Sequence, residues 1–230
     1  MVFEQLTVTV FLRKNIHFSF SSEKIGQWIN AALYLDENLK VFHEQNQYKH
    51  YVFDNLYPFE KDGVYKEGKV YIYKIRSLKQ GFLSKVKHLL KKVNDDNFQL
   101  LAAEITRMPQ RPIQELYTVT PFFITVKGAP WFVEHDWTTL EERLQANAEK
   151  KYKNLFGEER FTHSFIQRIE ILNQRPIAIS YKGIKLLGNK AKITIQDDQQ
   201  SQKLAFISMG SGLAEKNSAV GGGFCLATYI

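Results

Sequence analysis

The chain has 230 residues, 44% hydrophobic and 24% charged, a composition of soluble globular proteins and not of collagen-like or disordered chains. No apolar run approaches the ~20 residues of a membrane-spanning helix, and the start, Met1 to Val8, lacks the charged region and long apolar stretch of a secretory leader. A cytoplasmic protein without a membrane partner is therefore expected. The single cysteine, Cys225, excludes an internal disulfide framework and any cysteine-based zinc site. Thirty-one Lys and Arg against 24 Asp and Glu leave a net charge of +7, which predisposes the surface to polyanions.

Residues 5–13 are rich in β-formers with partial alternation and predict a first strand. Ser21 or Ser22 then offers an N-cap, and Ile25, Trp28, Ile29, Ala32 and Leu33 recur at helical spacing to about Leu35. The polar stretch 37–49 reads as a loop. A short strand at 50–53, a clear strand at 68–76, a helix from about Gln80 to Val93 and a strand at 97–106 complete the first half. The helix faces Phe82, Val86, Leu89, Leu90 and Val93 inward; Lys85, Lys87, His88, Lys91 and Lys92 crowd the same segment. The order is β-α-β-β-α-β, a ferredoxin-like plan.

Pro109 and Pro112 punctuate a linker, and the plan starts again with a strand over 115–127. Thr138 with Glu141, or Thr139 with Glu142, offers a capping box for a helix to about Phe156. On it Leu140, Leu144, Ala148, Tyr152 and Leu155 face inward. Strands near 164–172 and 179–196, a short helix over 200–209 and a last strand at 222–229 follow. The expected class is α+β, with two tandem ferredoxin-like domains over 1–110 and 111–230, the second less regular.

The stretch Gly210 to Ile230 carries the chemistry. Gly210, Gly212, Gly221, Gly222 and Gly223 bracket Glu215-Lys216-Asn217-Ser218. Successive backbone N–H groups in a glycine-rich loop form an anion-binding concavity, and Lys216 adds a mobile charge. The loop is not a P-loop, because Asn217 follows Lys216 where Ser or Thr is needed, and no βαβ unit follows to make a dinucleotide site. Phe224 to Ile230 reads as a buried strand anchoring it. A glycine-rich tail or wide turn is the plainer alternative. Among the histidines, His17, His88, His135 and His163 have no companions at a distinctive spacing and read as structural or surface residues. No His-x-x-x-His pair or carboxylate cluster marks a metal site, so no metal and no cofactor are expected. His43 and His50 lie in one polar segment with Tyr48 and Lys49. An imidazole and a nearby ammonium on a basic protein suit metal-free RNA cleavage, in which proton transfer accompanies attack of the 2′-OH on its own phosphodiester. A solvated surface histidine is the ordinary alternative.

Gly212-Leu-Ala-Glu-Lys-Asn-Ser218 with Gly221-Gly-Gly-Phe224 resembles the C-terminal glycine-rich signature of the CRISPR-associated endoribonucleases that cut repeat RNA, the Cas-six group of RAMP proteins. The departures are Ala214, where the signature has glycine, and the extra residue Val220. Phe42-His43-Glu44 with Lys49 also resembles the element these proteins carry after their first helix, and Arg175-Pro-Ile with Tyr181 to Gly188 resembles the segment leading into their β-hairpin. The resemblance implies two tandem ferredoxin-like domains and cleavage of repeat RNA to 5′-hydroxyl and 2′,3′-cyclic phosphate ends. It implies His43 as acid/base residue, with His50 as its rival, and Lys49 as transition-state stabiliser. Members add a tyrosine on the first helix. Asn30 stands at the corresponding place, with Trp28 and Tyr34 nearby, and Tyr34 one turn on is the candidate. Gly212, Lys216, Asn217, Ser218, Gly221, Gly222, Gly223, Lys185 and Lys190 are the candidate RNA contacts. The implied partner is CRISPR repeat RNA (pre-crRNA), with room for an effector complex. The alternative role is a RAMP subunit that holds guide RNA without cutting it. The oligomeric state is not legible.

Overall fold

The computed structural model describes residues 1–132 and 136–230; His135, read above as a structural or surface residue, lies outside them. The first half runs β1 (Val2–Leu12), β2 (Ile16–His17), α1 (Phe18–Leu33), α2 (Glu37–Glu44), β3 (Tyr51–Phe53), β4 (Val64–Tyr65), β5 (Val70–Ser77), α3 (Phe82–Leu90) and β6 (Phe98–Pro109). Four of its strands form an antiparallel sheet in the order β3-β5-β1-β6. Strand β1 takes its place because Leu6, Val8, Val10 and Leu12 alternate onto one buried face. Helices α1 and α3 cover that face through Ile25, Trp28, Ile29, Leu83, Val86 and Leu90, with Trp28 stacked on Phe98 at 5.2 Å.

The second half runs β7 (Ile113–Thr118), β8 (Thr125–Val126), β9 (Ala129–Pro130), α4 (Trp137–Phe156), β10 (Ile166–Ile171), β11 (Ile177–Tyr181), β12 (Ile184–Gly188), β13 (Ala191–Ile195), α5 (Gln199–Ser211), α6 (Asn217–Val220) and β14 (Cys225–Tyr229). Its sheet order, β10-β13-β7-β14, repeats the first. In both sheets the strand opening the unit lies inside and the strand closing it lies on the edge. The chain folds as two tandem ferredoxin-like units. The irregularity of the second has a simple source: the hairpins β8–β9 and β11–β12 are inserted into the plan. Among the described residues, no helix is long and apolar enough to cross a membrane.

Four local expectations change. Residues 37–44 of the expected loop form α2, capped by Asp36, whose carboxylate accepts the Leu39 N–H at 3.0 Å. The helix was hidden because only Leu39 is buried, so there is no apolar stripe to read. Helix α1 starts before Ser21, with His17 as N-cap. Asp136, and not a threonine capping box, caps α4 by accepting from the N–H groups of Thr138 and Thr139. The expected strand over 115–127 ends at Thr118, and its continuation serves the β8–β9 hairpin.

The two units share a seam. Phe3 and Leu78 pack into the core of the second half. The buried Arg76 on β5 donates to the Met209 and Cys225 carbonyls and lies 4.2 Å from the Phe224 ring centroid. Hairpin β11–β12 and α6 both lie against α1. This brings the glycine-rich segment of the second half onto the helical face of the first.

Candidate RNA-processing site

The glycine-rich segment is an ordered loop folded around internal hydrogen bonds. Lys151, on the inward face of α4 and 3% exposed, sends its ammonium to the Gly212 carbonyl at 2.6 Å, the Ala214 carbonyl at 2.8 Å and Asn217 Oδ1 at 2.8 Å. Burial lowers its pKa to about 7. Asn217 Nδ2 in turn donates to the carbonyls of Leu213 and Gly222, at 3.0 and 2.7 Å. Glu215 accepts from the Thr125 hydroxyl at 3.1 Å and so ties the loop to the β8–β9 hairpin. Of the four-residue core, Lys216 is left exposed and Ser218 half-exposed.

The glycines answer to packing inside the protein. Gly221 has φ +65°, and a Cβ on it would sit 2.2 Å from the Phe53 carbonyl oxygen; at Gly223, φ +67°, it would sit 2.1 Å from that of Leu213. The first contact presses the loop onto β3 and the second closes the loop on itself. Gly221→Ala should lower the unfolding free energy by about 2–4 kcal/mol, combining left-handed strain with overpacking. An unchanged urea midpoint would show that the contact yields easily. Ala214 itself adopts φ +56°, so this chain keeps the left-handed turn without the signature's glycine.

Tyr34, His43 and Lys49, distant in their local settings, come together where α1 and α2 end. Tyr34 is the C-cap residue of α1, 47% exposed, with its ring centroid 5.5 Å from that of His43 in an edge-on arrangement. His43 occupies the last turn of α2. Lys49 folds back to donate to the Phe42 carbonyl and, at 2.6 Å, to the Gln45 carbonyl, which closes the C-terminus of α2. Two of its three N–H donors are thus used and one remains. Burial and then Lys49 lower the His43 pKa below its ordinary 6.5, Glu44 opposes them, and Lys182 adds to the lowering.

Lys182 is the member sequence reasoning missed. It sits at the tip of the β11–β12 hairpin with φ +50°, and its backbone N–H donates to Glu23 Oε1 of α1 at 2.7 Å. The turn Tyr181-Lys182-Gly183 lies in the segment that resembles the lead-in to the family's β-hairpin, but only the docking of the hairpin on α1 brings it to His43. Asn30, half-exposed on α1, has its Oδ1 buried. Of the other candidates, Lys185 is exposed on β12. Lys190 is half-buried, with its pKa lowered by burial, and lines a separate cavity of 770 Å3 with Phe18, Tyr65, Ile177 and Leu226.

His50 is placed differently from His43. It is 3% exposed, holds φ +53°, and its carbonyl accepts from Ser77 Oγ at 3.0 Å and Leu78 N at 3.2 Å. Its Nε2 lies 2.6 Å from Asn154 Oδ1 of α4. Burial above all lowers its pKa to about 4, so the ring is neutral at pH 7. Among the described residues, no cluster of three or more His, Cys, Asp or Glu side chains is arranged to hold a metal.

No protein-family model matches the chain. It is 28% identical over 228 residues to the CRISPR-associated endoribonuclease Cas6 2 of Methanocaldococcus jannaschii, an alignment covering 89% of this chain and 93% of that protein. A solved CRISPR-associated protein Cas6 superposes with TM-score 0.71 at 18% identity, covering 99% of both chains. The chain is similar to Cas6 proteins in both sequence and fold. A RAMP protein described as binding different RNA substrates matches the same architecture with TM-score 0.74 at 14% identity, over 98% of this chain and 99% of the other. The likeness to the solved Cas6 protein runs through both ferredoxin-like units.

Proposed function

We propose that the protein is a metal-independent endoribonuclease that processes CRISPR repeat RNA. The observation that carries this reading is the convergence of His43, Tyr34, Lys49 and Lys182 at one corner, where Tyr34 and Lys182 are exposed and His43 and Lys49 are half-buried. Lys49 also lines the cavity formed with the glycine-rich loop. A strand lying along the loop would meet Lys216 and Ser218. Gly212, Gly221, Gly222, Gly223 and Asn217 set the loop's path, and the exposed Lys185 extends the basic surface, while Lys190 would meet RNA only at the separate cavity it lines.

In the reaction, His43 removes the 2′-OH proton, O2′ attacks the adjacent phosphorus, and the bond from phosphorus to O5′ breaks. The products are a 2′,3′-cyclic phosphate and a 5′-hydroxyl. A histidine with its pKa below 6.5 is unprotonated at neutral pH, as a base must be. The free N–H of Lys49 and the ammonium of Lys182 offset charge developing on the phosphorane. The Tyr34 hydroxyl then donates its proton to the leaving O5′. His50, enclosed and bonded to Asn154, suits this work less well than His43.

Repeat RNA should be cut in EDTA, and a 2′-deoxy substitution just upstream of the cleaved bond should abolish cutting. Loss of cleavage on chelation would sink the mechanism. Tight binding without any cleavage would point to a subunit that only holds guide RNA. The pH dependence follows from the direction of the His43 shift. The acid limb of kcat/KM should lie below pH 6.5, and Lys182→Met should move it upward, because removing a nearby cation makes imidazole easier to protonate. A downward move would exclude His43 as the base.

A further inference from the structure

Helix α3 and the two residues after it carry Lys85, Lys87, His88, Lys91 and Lys92 and no carboxylate. The apolar face, Phe82, Val86, Leu89 and Leu90, is buried. Lys85, His88, Lys91 and Lys92 therefore stand exposed in one row along the opposite face. Attraction to the helix dipole accounts for cations in the last turn. It does not account for Lys85, near the start of a helix whose first turn has no acidic residue. At the far end of the row, between α3 and β6, lies a hollow of 610 Å3. Arg13, Lys87, Lys91 and Lys92 line it together with residues 99–103 of the strand, and no acidic side chain does. The carboxylates nearest in sequence are engaged elsewhere. Asp96 pairs with Lys14 at 3.6 Å, and Asp95 accepts the N–H groups of Asn97 and Phe98 at 2.7 and 3.0 Å. Among the described residues, no carboxylate is paired with Arg13, Lys85, Lys87, Lys91 or Lys92. Strand β6 is the outer strand of its sheet, so alternate N–H groups along its free edge add neutral donors.

The row begins at the corner where Tyr34, His43 and Lys49 meet. The Phe42 ring of α2 lies edge-on to Phe82 at 6.1 Å, with the ammonium groups of Lys49 and Lys79 over it at 5.0 and 3.9 Å. Lys79 thus joins that corner to the start of α3. We propose that α3 and the hollow at its end form a second RNA site, a track for the phosphodiester backbone of the single strand that leaves the cleavage site. The inference rests on the RNA-processing reading above and extends it to a flank of the substrate. The strand passes Lys79, crosses Lys85 and His88 and ends in the hollow on Arg13, Lys87, Lys91 and Lys92. Helix α3 has nine residues, about 13 Å of rise, so the track holds only a few nucleotides. Its contacts are to phosphates, and they set affinity without reading sequence.

The test is fluorescence anisotropy with repeat RNA over a range of salt concentrations. Lys85→Gln, Lys91→Gln and Lys92→Gln, combined in one variant, should weaken binding about 10–100-fold near 0.1 M salt. The slope of log K against log salt should shrink by about 2, at ~0.7 for each phosphate contact on a single strand. Glutamine keeps good helix propensity at these exposed positions, and thermal melting checks the fold. The matching triple Lys→Arg variant should bind like the unaltered protein, because the contact requires only charge. An RNA trimmed to the nucleotides beside the cleaved bond ends before α3 and should bind all three proteins equally. Unchanged affinity and slope in the glutamine variant would overturn the track alone, as would an equal loss on the trimmed RNA. A loss in the arginine variant as large as in the glutamine one would give the lysines a structural role and reject the proposal. Failure of the unaltered protein to bind repeat RNA at any salt concentration would overturn the RNA-processing reading beneath it.

Discussion

His43→Ala should cleave repeat RNA at least about 100-fold more slowly than the unaltered protein while binding it nearly as well, as the loss of one acid/base group predicts. The separation of rate from affinity follows from the geometry. His43 sits at the end of a short helix whose only buried residue is Leu39, so the substitution removes a ring edge from Tyr34 and little packing. The loop that would hold RNA is braced independently by Lys151 and Asn217. Single-turnover cleavage and anisotropy on the same RNA give the two numbers. An unchanged rate would remove His43 from the mechanism, and His50→Ala would then be the next variant to assay.

Lys151→Met should destabilise the protein strongly, by as much as Gly221→Ala. Methionine keeps most of the aliphatic stem but leaves the Gly212 and Ala214 carbonyls and Asn217 Oδ1 without their donor in a buried setting. Unmade bonds of this kind cost roughly 1–3 kcal/mol each, part of which is recovered because a charge need no longer be buried, so a net loss of about 2–4 kcal/mol is expected. The loop should loosen with it, and RNA affinity should fall even where the protein remains folded. Urea denaturation gives the first quantity and anisotropy the second. If neither changes, the loop is held by Glu215 and the glycine contacts, and Lys151 is dispensable.

The doubled βαββαβ plan was legible because it is written in local periodicity. Leu6, Val8, Val10 and Leu12 alternate, and Ile25, Trp28, Ile29 and Leu33 recur at helical spacing, so each element announces its buried face. Helix α2 was not legible, since a helix with one buried residue and a polar surface has no such signature. The capping residues were misread for a related reason. Ser21, Ser22 and the Thr-Glu pairs are competent caps, but His17 and Asp136 stand where the chain actually enters each helix.

The site divides along the same line. The sequence by itself determined the basic charge, the Glu-Lys-Asn-Ser core between glycines, and the His43 and Lys49 spacing, because composition and motif reside in consecutive residues. Tertiary structure alone decided that Asn217 turns inward while Lys216 stays out, that Lys151 supports the loop from α4, and that Lys182 arrives at His43 from a hairpin in the other unit. It also separated two histidines seven positions apart, leaving His43 half-buried at the end of α2 and enclosing His50 beneath Asn154. The physical reason is that desolvation, charge proximity and hydrogen-bond partnership depend on neighbours in space, and those neighbours come from segments that share no local pattern.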